Sequence, residues 1–255
     1  HYMLKSAENA VLNINYMFPS CVPATFFEHS GAVLEAKDVE TVIDNPKVLG
    51  LGEMMNYPGV VSASPSILDK LETCWKRGKV IDGHIPSISG QGLDAYLSTG
   101  IKTDHECETP EELVEKTGKG MYVLLRQGTV CKNVLQLLPG VNDNNWRRCL
   151  FCTDDRQPQS ILREGHVSYG VNLAIQKGMD PYRAIACASI NAADCYHMWE
   201  RGAITPGRFA DFFFVDSISE IKPIPSTFID TFLGDFTSIL LLISEEEKVT
   251  SFLLC

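Results

Sequence analysis

The chain's 255 residues, 45% hydrophobic and 21% charged, match one large α/β domain or a domain and a half in a water-soluble protein. Thirty-two acidic against 22 basic residues give a formal net charge of −10, and no stretch gathers Lys and Arg, which argues against a nucleic-acid or anionic-membrane surface. Nine cysteines, an odd number at irregular spacing, do not read as the framework of a small disulfide-stapled domain and point to a reducing, cytoplasmic setting.

The chain opens on His1 rather than Met, which predicts a chain already cut, and no secretory leader is evident. The longest apolar run, "SILLLI", falls well short of the roughly eighteen residues that span a bilayer. Short β-prone runs follow in order: "NINYMF", "KVLGLGEMM", "KVIDGH", "GIKTDHE", "MYVLLRQG" and "RCLFCTDD". Three helices between and after them share one start signal, a capping residue followed by proline: Ser64-Pro65, Thr109-Pro110 and Asp180-Pro181. In the first, Ile67, Leu71, Cys74 and Trp75 share a face and Gly78 ends the run. The second carries Glu111 and Glu112 in its first turn, where the helix dipole favours them, and the third is read as one long helix from Asp180.

Strand and helix in alternation predict a parallel sheet with right-handed crossovers. No glycine-rich phosphate loop follows any strand, so a barrel of βα units is the expected fold, with six strands of the eight that a full barrel needs. The predicted organisation is a barrel over 1–200, part of a small β-domain over 201–216 around "GAITPGRFADFFFVD", and an unassigned tail over 217–255.

In such barrels chemistry gathers where strands end and βα loops begin. Those positions carry Glu53, His84, His105 and Asp154, residue types that bind a borderline divalent metal. Each has a plainer reading: a hydrogen-bonded histidine, a Glu53 paired with a basic residue, an Asp154 that caps the next helix. Cys149 and Cys152 form a lone CxxC whose members, three apart on a strand, face opposite sides, so a zinc knuckle is not expected. His1, His29 and His197 lack a strand-end setting and read as ordinary surface or packing residues.

The phrases "PSCVPATFFEHSGAVL", "GLGEMMNYPGVV", "DGHIPSISGQGLDAYLSTGIKTDHE", "CTDDRQPQSILREGHV" and "GAITPGRFAD" resemble the adenine deaminases of the amidohydrolase superfamily, as far as Asp216. The resemblance implies a (β/α)₈ TIM barrel with a small β-domain, and hydrolytic deamination of adenine to hypoxanthine and ammonia. It implies a mono- or binuclear divalent metal centre, manganese or iron with zinc also accommodated, held by Glu53, His84, His105 and Asp154. In that reading Glu53 bridges the metals and Asp154 takes the proton of the attacking water, with Asp155 its rival and expected to pair with Arg156. Glu106 serves a ring nitrogen or supports His105, although as a strand neighbour of His105 it could equally face outward. Arg126, Glu164 and His166 become contacts to substrate or to the inner residues. Adenine is the implied small-molecule partner, with a homo-oligomer compatible and neither nucleic acid nor membrane expected.

The family's first strand ends in a His-x-His pair, and no such pair occurs among these 255 residues. The first two strands are therefore expected to be absent, which would leave open edges on "NINYMF" and "RCLFCTDD". Two other readings stand beside the deaminase: a related cyclic amidohydrolase, and an inactive remnant that binds purine or a partner.

Overall fold

The computed structural model describes residues 2–10, 12–223 and 252–254. They fall into two compact units, 1–123 and 124–255. All six β-prone runs form strands, shorter than their sequence signatures: β1 Tyr16–Phe18, β2 Val48–Met54, β3 Val80–Gly83, β4 Thr103–Asp104, β5 Tyr122–Arg126 and β6 Cys149–Cys152.

In the first unit β1, β2 and β3 pair side by side in parallel, and β4 pairs in parallel with Tyr122 and Val123 at the start of β5. Every strand therefore points its C-terminal end the same way as its paired neighbour, which is what brings strand-end side chains together. Gly50 explains the close fit of β2 on β3, because a Cβ there would lie 1.8 Å from the Val80 carbonyl oxygen. The core gathers Leu51, Met54, Ile81, Leu93, Tyr96 and Ile101, all 3% exposed or less.

The helix Pro65–Trp75 buries Ile67, Leu71 and Cys74, as its spacing predicts. Trp75 departs from that prediction at 67% exposed. It sits one residue past Cys74, on the rim of the apolar stripe, where its indole covers Gly100 instead of entering the core. Gly78, at φ 64°, ends the turn after the helix.

In the second unit the C-terminal part of β5 runs beside β6, and Gln127 N–H donates to the Cys152 carbonyl at 2.9 Å. The long helix predicted from Asp180 is two helices, Pro181–Ala188 and Ile190–Cys195, broken at Ser189 (φ −131°, ψ −91°). Ser189 Oγ donates back to the Ile185 carbonyl, and Asn191 just beyond the break donates to the Trp146 and Cys149 carbonyls, both at 2.9 Å. These polar anchors redirect the chain where apolar periodicity alone runs on.

Beyond residue 200 the strands become antiparallel. β7 (Phe212–Ser217) pairs with β8 (Glu220–Pro223) and with β9 (Phe252–Leu254). Of the tail expected over 217–255, residues 224–251 and 255 lie outside the described residues. Among the described residues no helix is long and apolar enough to cross a membrane, and none of the eight described cysteines is in a disulfide.

Candidate functional site

Three neighbouring strands of the first unit each deliver one polar side chain to a common point. Glu53 lies at the end of β2, His84 directly after β3 and His105 directly after β4. The Glu53 carboxylate is 3.0 Å from His105 Nε2 and 3.3 Å from His84 Nδ1. The two imidazoles meet edge to face with ring centroids 5.4 Å apart. One donor atom from each of the three residues lies within 4.8 Å of the other two. The plainer reading of Glu53, a partner for Lys or Arg, is thus replaced by two histidines.

Glu106 joins the group. Its Oε1 is 3.4 Å from His105 Nε2 and 3.8 Å from His84 Nδ1. Strand alternation would turn neighbours apart, but β4 ends at Asp104, so His105 and Glu106 already lie in the loop, where that constraint lapses.

The electrostatics of the cluster are those of mutually stabilised charges. Hydrogen bonding with His105 and His84 holds the Glu53 carboxyl well below the usual carboxylate range, against the opposing effect of burial. Burial pulls the His105 pKa down, but Glu53 beside it more than compensates and the net shift is upward. The buried His84 Nδ1 faces the Glu53 carboxylate at 3.3 Å. Two imidazoles and a carboxylate, each offering a donor atom within 4.8 Å of the others, are the donor chemistry that a divalent zinc, iron or manganese ion takes. The residues present fit such an ion.

Ser20, which follows β1, was not singled out by sequence. Its hydroxyl donates to the Glu53 carbonyl, and the buried Lys70 ammonium donates to the Ser20 carbonyl at 3.0 Å. A serine in "PSCVPA" carries no signal of this, since the contact depends on β1 lying beside β2.

Asp154 lies in the second unit. Its backbone adopts φ 43°, a left-handed conformation uncommon for a residue other than glycine, and its carboxylate pairs with the buried Arg126 at 3.0 Å. Asp155 does not pair with Arg156 as expected. Its carboxylate accepts from the Thr129 and Val130 amides at 3.0 and 2.8 Å, closing the loop after β5. Arg156 turns instead to Glu164, at 2.9 Å, and to the Gly165 carbonyl. The adjacent aspartates are thereby separated in role: Asp155 is spent on backbone, and Asp154 keeps a carboxylate that is 39% exposed.

Of the remaining predicted residues, Glu164 is the ion-pair partner of Arg156. His166 lies 3.4 Å from the Thr153 hydroxyl, its pKa lowered by burial and by Arg156. Cys149 is buried and Cys152 half-buried.

The parallel strands and the polar side chains gathered at their ends are those of the βα-barrel class of folds. Residues 1–239 match the amidohydrolase family, and the chain belongs to that family. It is 48% identical over 218 residues to an adenine deaminase of Nitratidesulfovibrio vulgaris (strain DP4), covering 86% of this chain and 38% of that protein. It is likewise 48% identical over 221 residues to an adenine deaminase of Clostridium acetobutylicum, covering 87% and 39%. The chain thus spans less than half the length of these curated relatives. Among solved structures, an enamidase of the amidohydrolase superfamily superposes with a TM-score of 0.53 at 18% identity, over 72% of this chain and 51% of that one, a likeness of fold. The incomplete TIM-barrel architecture expected from sequence is therefore an amidohydrolase one.

Proposed function

We propose that the chain carries part of the catalytic centre of a metal-dependent adenine deaminase, which hydrolyses adenine to hypoxanthine and ammonia. The observation that carries this is the convergence of Glu53, His84 and His105 on one point. The substrate is argued from the curated adenine deaminases that are nearly half identical to the chain.

In this proposal Glu53, His84 and His105 hold a divalent ion, manganese or iron with zinc also suited, in a mono- or binuclear centre. Such an ion, when bound, lowers the pKa of water towards neutrality and so supplies a nucleophile. The protein's own groups then manage protons. Asp154, fixed by Arg126, is the base that accepts the proton of the water, and Glu106 delivers a proton at a ring nitrogen or supports His105. Glu164 and His166 are assigned to shaping the substrate side of Asp154, Glu164 through its ion pair with Arg156. We further assign 1–200 to the barrel and 201–216 to part of the small β-domain, in a cytoplasmic enzyme whose chains are compatible with a homo-oligomer.

The test is ammonia release from adenine by the purified chain with added Mn²⁺ or Fe²⁺, beside a His84→Ala control. Release that the substitution abolishes is the expected result. No release from folded, metal-loaded protein would reject the active-enzyme reading for these 255 residues.

A further inference from the structure

His84 is the donor whose placement is most heavily supported from outside its own strand. Gly83 N–H donates to Thr103 Oγ1 at 2.7 Å, and His84 N–H donates to the Tyr96 hydroxyl at 3.0 Å. Ile85 N–H donates to Asp104 Oδ1 at 2.9 Å, and the Ile85 carbonyl accepts from Lys116 Nζ. Lys116 is itself paired with Asp104 at 2.7 Å, and both side chains are fully buried. Three consecutive amides that a continuing strand would have given to a neighbouring backbone are thus given to side chains from elsewhere.

Tyr96 does more than accept. Its hydroxyl donates to the Met54 carbonyl at 3.3 Å, one residue after Glu53, so one phenol oxygen spans the ends of β2 and β3. The ring is fully buried in the core, and its helix, Gly90–Ser98, is fixed by Leu93 on the same face. Gly83 allows the close approach on the other side, since a Cβ there would lie 2.0 Å from the Thr103 carbonyl oxygen.

We propose that Tyr96 and Thr103 are positioning residues that set the spacing of Glu53, His84 and His105, and through it the affinity of the site for a divalent ion. The inference rests on the metal-centre reading above. Neither hydroxyl touches the donor atoms. Each acts on the backbone that carries them, in the way that supporting hydrogen bonds around a metal tune its ligands.

The test uses Co²⁺ as the probe, titrated into the 255-residue chain and followed by its visible absorption, with the metal-free melting temperature measured in parallel. Tyr96→Phe deletes one oxygen. It is expected to weaken Co²⁺ binding by about tenfold or more, in the range typical of lost supporting contacts to a metal site. Thr73→Val provides the control, because Thr73 Oγ1 bonds only within its own helix, to the Asp69 carbonyl at 2.8 Å. It should lower the melting temperature and leave Co²⁺ affinity unchanged. Thr103→Val tests the second support and decides the matter alone if Tyr96→Phe does not fold. Affinity within about twofold of the parent in the folded variants would overturn the inference, being far less than supporting contacts normally contribute. A parent chain that binds no Co²⁺ at all would instead bring down the metal-centre reading, a result separable from the first.

Discussion

Glu53 and His105 shift each other in opposite directions, and the sign of each shift sets a different limb of the stability profile. His105 has a raised pKa in the folded chain, so its contribution is fully present below its unfolded value of about 6.5 and is lost as pH rises through the raised value. The lowered pKa of Glu53 gives a contribution present above an unfolded value of about 4.3 and lost as pH falls through the depressed one. For metal-free protein these two groups favour the window between roughly pH 4.3 and 6.5. Thermal melts of the chelated chain across pH should show His105→Asn flattening the decline on the alkaline side. An unchanged alkaline limb would mean that His105 does not draw its stability from Glu53.

At the scale of elements, the three cap-and-proline starts look alike in sequence but differ in the structure. Thr109 accepts from the Glu112 amide and Asp180 from the Arg183 amide, whereas the Ser64 side chain makes no capping bond. Thr109→Ala should therefore cost about 1 kcal/mol in urea unfolding, with Ser64→Ala costing clearly less. Equal losses would show that the cap bond is not what the threonine contributes. The same contrast explains what could be read in advance. Strand ends, helix starts and the histidines were legible because βα periodicity places them without reference to any distant residue. The break at Ser189, the exposure of Trp75, and the use of Asp155 on the Thr129 and Val130 amides were not, because each depends on neighbours that only folding supplies. Tyr96 was invisible for the same reason: "LDAYLS" reads as an ordinary apolar helix face.

For the whole molecule, the described donors of the converging cluster all belong to the first unit, while Asp154 and its partners belong to the second. An ion that binds the folded chain alone, present at roughly 100 times its Kd, stabilises it by about 2.7 kcal/mol. Hydrogen exchange with and without Mn²⁺ should show new protection first at the ends of β2, β3 and β4, where Glu53, His84 and His105 stand. Protection confined to the second unit would contradict a centre built on those three residues.

The parallel ladder β1–β2–β3 has a further consequence, because its spatial order is its order along the chain. Each new strand is laid against the one made just before it. A polypeptide leaving the ribosome therefore owns its complete trio of donors once His105 has emerged. Everything synthesised afterwards meets a trio whose members have already been made.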